Sequence, residues 1–196
     1  MSSGIPDVVP AGRLAAGAQP VLALPDGRCL RPWSLDDADA DALLTAGQDP
    51  DISRWNLFTV SSRAEARARI ERIHARRQAE TGAVWAIAPS GGAAVGLAGL
   101  NDVDLAGGTA EVFYWVLPEA RGGGLAVAAA RRLSHWALTD LGLHRLTLCH
   151  STANTASCRV AEKAGFGYEG TQRSALLHAD GWHDQHLHGR VAGDPW

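Results

Sequence analysis

The chain has 196 residues, 46% of them hydrophobic and 20% charged, and a formal net charge of −3. That length suits one domain with a sizeable core, and the mild acidity argues against general binding to nucleic acid or to anionic membranes. No apolar run reaches the roughly 18–20 residues of a membrane span.

The opening "MSSGIPDVVPAGRLAAGAQP" lacks the basic-then-apolar order of a signal peptide. Its Pro, Gly, Ala and Ser content predicts a mobile tail over residues 1–20, ahead of a domain over residues 21–196. "VLALPDGRCLRPW" predicts one or two short strands turning at Pro25-Asp26-Gly27. A helix is expected in "SLDDADADALLTAGQ", with Ser34 as N-cap candidate and Gly47 as stop. A second is expected in "SSRAEARARIERIHARRQAE", opened by the capping-box pair Ser62 and Glu65 and closed by Gly82. Its six arginines read either as a solvated face or as a rim that attracts an acidic acceptor.

Three apolar runs follow, "AVWAIAP", "AAVGLAGLNDVDL" and "TAEVFYWVLP", whose short glycine connections predict an antiparallel meander. After "PEARGGG" comes a helix in which Leu125, Ala129, Leu133 and Trp136 share a buried face, ending at Gly142. "HRLTLCH" alternates as a strand, and "NTASCRVAEKAGF" is a helix from an Asn154 cap to Gly165. Strands from Phe166 and over "GWHDQHLHGRV" complete an α/β (α+β) domain built on a mixed sheet. Cys29, Cys149 and Cys158 have neither metal nor redox spacing and fit reduced thiols in a cytoplasmic protein.

The glycine turn carries the first chemistry. The start of a helix leaves N–H groups unpaired at the positive end of the peptide dipoles. Gly122, Gly123 and Gly124 let an anion approach those donors and Arg121 adds charge, so Arg121 through Leu125 and Ala126 make a pyrophosphate cradle. A P-loop would need Gly-Lys-Ser/Thr where Leu125-Ala126 stands, and a dinucleotide fingerprint would need a small residue where Val127 stands.

In its wider context, "YWVLPEARGGGLA" resembles the acyl-CoA-binding motif Arg/Gln-x-x-Gly-x-Gly/Ala of the GCN5-related N-acetyltransferases (GNAT family), with Arg121, Gly124 and Ala126 at its specified positions. "AEVFYW", "NTASCRVAEKAGFGYEG" and "LRPWSLDDADA" resemble the RimJ/RimL-like subgroup of ribosomal-protein alanine acetyltransferases, so the likeness spans residues 21–190. It implies a central twisted mixed sheet flanked by helices, and direct transfer of acetyl from acetyl-CoA to a primary amine in a ternary complex. The acceptor would be a protein or peptide α-amine or a small amine, and a homodimer is the family-level expectation.

The resemblance also assigns roles. A backbone N–H near Trp115 and Val116 would face the thioester oxyanion, and Asn154 would contact the pantetheine arm. The attacking amine must lose a proton, for which Glu111 on the central strand is the first choice, ahead of Glu169 and Asp184. Many relatives protonate the leaving thiolate with a tyrosine; Ala161 stands at that position here, and Ser157 matches the subgroup's serine instead. Cys158 is read as structural.

His183, His186 and His188 raise a metal reading, but only the last two share a strand face and no partner pattern accompanies them, so no metal is expected. Trp33, Trp55, Trp85 and Trp182 fit either the core or the acceptor cleft. The alternative to an enzyme is a non-catalytic acyl-CoA sensor of the same fold.

Overall fold

The computed structural model describes residues 4–196. Eight strands form one sheet in the order β1-β2-β3-β4-β5-β6-β8-β7. β1 (Leu22–Ala23), β2 (Arg28–Pro32), β3 (Ala83–Pro89), β4 (Gly96–Asp104) and β5 (Thr109–Val116) run antiparallel to their neighbours. β6 (Arg145–Ser151) then lies parallel to β5, while β8 (Gly181–Val191) and β7 (Gly167–His178) resume the antiparallel order. The parallel pairing spans only Thr109–Glu111 against Arg145–Thr147. Beyond it the two strands diverge.

Two apolar layers sandwich the sheet. On one side α1 (Asp37–Gln48), α2 (Pro50–Asn56) and α3 (Arg63–Gln78) bury Leu43, Ile52 and Ile70 with Trp33 and Trp115. On the other, α4 (Leu125–His135) and α5 (Thr155–Lys163) bury Leu125, Ala129, Leu133 and Ala161 with Trp85, Val112 and Leu148. Strand alternation explains the division along β5, where Phe113 and Trp115 face the first layer and Val112 and Val116 the second.

Several expected boundaries moved. Asp36, not Ser34, caps α1 by accepting from the Asp39 N–H, and Gly47 lies inside the helix, which ends one residue later. Asp49 then caps α2 ahead of Pro50, a helix the sequence reading missed although Asp-Pro is a helix-start signal. α3 opens at Ser62 as expected, but Glu80, at φ 58°, makes the left-handed turn assigned to Gly82. Gly142 closes a π-helical turn that extends α4.

The expected mobile tail needs correction over its described part. Val9 and Leu14 are buried in the α4 layer, and the Glu80 carboxylate accepts from the N–H groups of Gly12, Leu14 and Ala15. Trp85 donates its indole N–H to the Pro20 carbonyl. Two apolar anchors in a Gly/Ala-rich stretch suffice to hold a strap that composition alone presents as loose.

Candidate active site

Where β5 and β6 part, a cleft of about 740 Å³ passes through the sheet. On the α1–α3 side it is lined by Glu111, Phe113, Trp115, Asn101, Cys149 and Gln185; on the α4–α5 side by Tyr114, Val116, Leu125, Ala126, Asn154 and Ser157. Of the first-choice catalytic and cofactor-binding residues, Glu111, Ser157, Trp115, Val116, Arg121, Gly122, Gly124, Leu125, Ala126 and Asn154 border this space and Gly123 does not, while Glu169 and Asp184 lie outside it.

The glycine turn is built for open backbone. Gly122 and Gly124 have φ of 88° and 76°, where an L side chain is strained, and nothing lies within 4 Å of a Cβ placed on any of the three glycines. Gly124 caps α4 without a side-chain bond, so the first N–H groups of the helix, at the cleft mouth, have no capping partner among the described residues. Arg121 is engaged differently from the sequence expectation. Its guanidinium lies 3.0 Å from Asp49 and 3.2 Å from Asp51, and its Nε donates to the Val116 carbonyl at 2.9 Å. The charge at the mouth is shared with two carboxylates, and α2 is tied to the turn.

Strand parity separates Trp115 from Val116. The Leu117 N–H donates to the carbonyl of Val95, the residue directly before β4, so alternate peptide groups, those of Val116 and Tyr114, face away from β4 and into the gap. Of the two expected oxyanion donors, the Val116 N–H is the one with the right direction.

Burial and the nearby Asp102 charge push the Glu111 carboxyl up to about 7. The alternatives are otherwise occupied: Glu169 is ion-paired with Arg145 and held below the ordinary range by it, and Asp184 accepts the Ser174 N–H. Asn154 caps α5 by accepting from the Ser157 N–H at 3.0 Å, and the Ser157 hydroxyl lies 2.8 Å from the Tyr114 hydroxyl. Burial lifts Tyr114 to about 12, so the phenol keeps its proton. The sequence reading missed Tyr114 because the helix position at which the resemblance expects a tyrosine holds Ala161; the strand face of Tyr114, opposite to Glu111, was the available signal.

A second polar chain was also missed. The Ser151 hydroxyl, on the cleft wall, lies 2.7 Å from His183 Nδ1, and His183 Nε2 lies 2.8 Å from Asp180. Among the tryptophans, Trp33 and Trp85 are core, Trp55 lines the cleft beside His178 and His183, and Trp182 is exposed.

A smaller cavity of about 240 Å³ adjoins the cleft and shares Asn56, Asn101, Phe113 and Trp115 with it. Its roof is Arg69, Arg72 and Arg76, spaced along one face of α3. Arg76 donates to the Asn101 side-chain oxygen at 2.9 Å and to the Thr81 carbonyl at 3.3 Å, and the other three arginines of that helix are also bound to the protein: Arg63 to Asp41, Arg67 to Asp37, and Arg77 to the carbonyls of Ala16 and Gly17. Arg69 stacks 4.3 Å over Phe58, and neither it nor Arg72 has a carboxylate partner among the described residues.

Known proteins are similar to this chain in sequence and fold. YdaF of Bacillus subtilis, whose name assigns it provisionally to the ribosomal N-acetyltransferases, is 30% identical over 149 residues, covering 75% of this chain and 81% of YdaF. The uncharacterised N-acetyltransferase p20 of Bacillus licheniformis is 27% identical over 74% of this chain and 81% of its own. RimJ of Mycobacterium smegmatis, solved with CoA-disulfide, superposes with a TM-score of 0.77 at 25% identity, over 88% of this chain and 86% of RimJ. Residues 28–167 match the acetyltransferase (GNAT) domain. The mixed sheet, the glycine turn at the head of α4 and these likenesses converge: the chain is an N-acetyltransferase of the GNAT family.

Proposed function

We propose that the enzyme moves an acetyl group from acetyl-CoA to the primary amine of an acidic acceptor, by direct attack in a ternary complex. The observation that carries this reading is the through-sheet cleft, with a helix N-terminus at one mouth, Glu111 on the opposite face and Ser157–Tyr114 between them. The CoA pyrophosphate lies on the free N–H groups at the start of α4, and the Val116 N–H receives the thioester oxygen as it becomes an oxyanion.

An amine is an ammonium ion in water, with pKa near about 7.7–8.0 for an α-amine and about 10.4 for a lysine-type amine. Glu111, poised near 7, accepts that proton in the ionised form. Nitrogen attacks the carbonyl carbon and forms the C–N bond; the intermediate loses the second ammonium proton to solvent, collapses, breaks the C–S bond and expels CoA thiolate. Ser157 gives the thiolate a proton and is resupplied by Tyr114, which takes its own proton back from solvent and so ends as the phenol. The Ser151–His183–Asp180 chain leads from the cleft wall to the surface, a route for the amine's proton to solvent.

Arg69, Arg72 and Arg76 support an acceptor that carries carboxylates or phosphates beside its amine. The likeness to YdaF, whose name points to a ribosomal acceptor, favours a protein amine over a free small amine, and the arginines favour acidic residues beside it. A panel of acidic, neutral and basic peptides and small amines, followed by thiol release from acetyl-CoA, tests both parts. Arg69→Ala with Arg72→Ala should raise KM for the acidic acceptor about tenfold, as loss of a charge-assisted hydrogen bond does, with kcat and acetyl-CoA affinity retained. Equal turnover of basic peptides would remove the acidic acceptor; acetyl-CoA binding with no thiol release from any amine would remove the reaction.

A further inference from the structure

Four metal-binding side chains converge behind α5, outside every step just described. His150 on β6, His186 and His188 on β8 and Cys158 on α5 each offer one donor atom, and these four atoms lie within 4.8 Å of one another. Folding assembles them from three elements. Register sets His186 opposite His150 and His188 opposite Leu148, so all three rings project from one face of the sheet. α5 crosses that face, as the burial of Ala161 against Leu146 and Leu148 requires, and Cys158 in its first turn closes the set. His183 has the opposite strand parity and is held by Ser151 and Asp180. The pattern search failed on the sequence because the two missing partners lie 28 and 36 residues before His186.

The tautomers point inward. His150 Nδ1 lies 2.8 Å from the Ser151 carbonyl. A carbonyl only accepts, so Nδ1 carries the hydrogen and the lone pair sits on Nε2, the orientation that backbone carbonyls impose on metal-binding histidines. That Nε2 lies 3.2 Å from His188 Nε2. Two imidazole nitrogens bound to one tetrahedral zinc ion, each at about 2.0–2.1 Å, stand about 3.3 Å apart.

His188 is fully buried, and the buried Nδ1 atoms of His186 and His188 have no hydrogen-bond partner among the described residues. A single N–H···N bond between His150 and His188 leaves the His186 Nδ1 unexplained.

We propose that His150, Cys158, His186 and His188 form a closed site for a borderline divalent transition-metal ion, zinc foremost. Three imidazoles and a thiolate match zinc and its neighbours in the first row and reject magnesium and calcium, which take oxygen. Binding releases the Cys158 thiol proton to solvent and requires the donors to close to about 3.3–3.6 Å, within reach of side-chain rotation at the half-buried Cys158. Glu162, whose Oε1 lies 3.8 Å from Cys158 Sγ, adds a second negative charge beside the thiolate. With all four positions taken by protein the ion is structural: it staples α5, and hence the turn carrying Asn154 and Ser157, to β6 and β8.

The test uses the full chain without a polyhistidine tag, grown with added zinc and exchanged into metal-free buffer. The expected result is about one zinc per chain by plasma mass spectrometry. Cobalt(II) in its place should give the intense visible bands of a tetrahedral ion and a near-ultraviolet thiolate-to-cobalt band. Cys158→Ser should abolish the thiolate band, and His186→Ala, which removes a ligand outright, should weaken zinc binding by more than the roughly 10–100-fold that loss of an outer-shell partner costs. Both positions are partly exposed, and circular dichroism with acetyl-CoA binding reports folding. Folded wild-type protein that takes up no cobalt overturns the site, as does zinc retained by a variant that combines Cys158→Ser with His186→Ala. Neither readout depends on which amine is acetylated.

Discussion

Glu111 shows how one residue's surroundings set both a rate and a stability. Folding raises its carboxyl from 4.5 to about 7, so the fold prefers the protonated form. That contribution is fully present below about pH 4.5 and is lost as pH rises through about 7. At about 1.36 kcal/mol per pH unit, the ionised side chain costs at most about 3 kcal/mol at pH 8. Glu111→Gln should therefore be the more stable protein at pH 8 and no more stable at pH 4.5, as denaturant titrations at the two pH values would show. The same substitution should lower kcat about 100-fold or more and remove the acidic limb of kcat/KM near pH 7. A wild-type limb that follows only the pKa of the amine would mean that Glu111 is not the base. Tyr114→Phe and Ser157→Ala act on one proton path; each should slow turnover about tenfold or more, with the double variant close to the worse single.

At the scale of elements, α2 is the piece that neither periodicity nor composition announced. It is 7 residues long, too short for a hydrophobic face to repeat, and its only start signal is Asp49-Pro50. The structure holds it from both ends. Arg121 grips Asp49 and Asp51 at its start, while Arg54 pairs with Asp180 and Trp55 packs on His178 and His183 of the β7–β8 hairpin. The longer elements were legible because each combined a period with punctuation: the Ser62 cap of α3, the Asn154 cap of α5, the glycine turn before α4. What sequence withheld was side-chain partnership across elements. The sequence reads Arg121 as a phosphate ligand and gives no sign of its two carboxylates, which are 72 and 70 residues away. Its substitution by alanine should accordingly raise the acceptor's KM more than the dissociation constant of acetyl-CoA, which kinetics and calorimetry resolve. The reverse ranking would return the guanidinium to the pyrophosphate.

For the molecule as a whole, the strap over residues 8–20 joins the two halves of the core. Val9 and Leu14 enter the α4 layer, and the backbone between them is pinned to Glu80 at the end of α3. Leu14→Ala should cost about 2–5 kcal/mol, as deletion of a buried leucine side chain does, while leaving activity per folded molecule unchanged. Rapid proteolytic nicking between residues 10 and 17 without loss of stability would return the segment to a tail.

The short parallel seam has one more consequence. Five strands lie on one side of it and three on the other, joined through the register Thr109–Glu111 against Arg145–Thr147. Past that register the peptide groups of Tyr114 and Val116 are turned toward a space where a strand would be. The protein is thus an interrupted sheet, and an extended amide-bearing chain laid in the gap would act as its missing ninth member. Rigidity at the reacting atoms would then arrive with the co-substrate rather than precede it, and the cooperativity of the fold would depend on how much of that co-substrate the cell supplies.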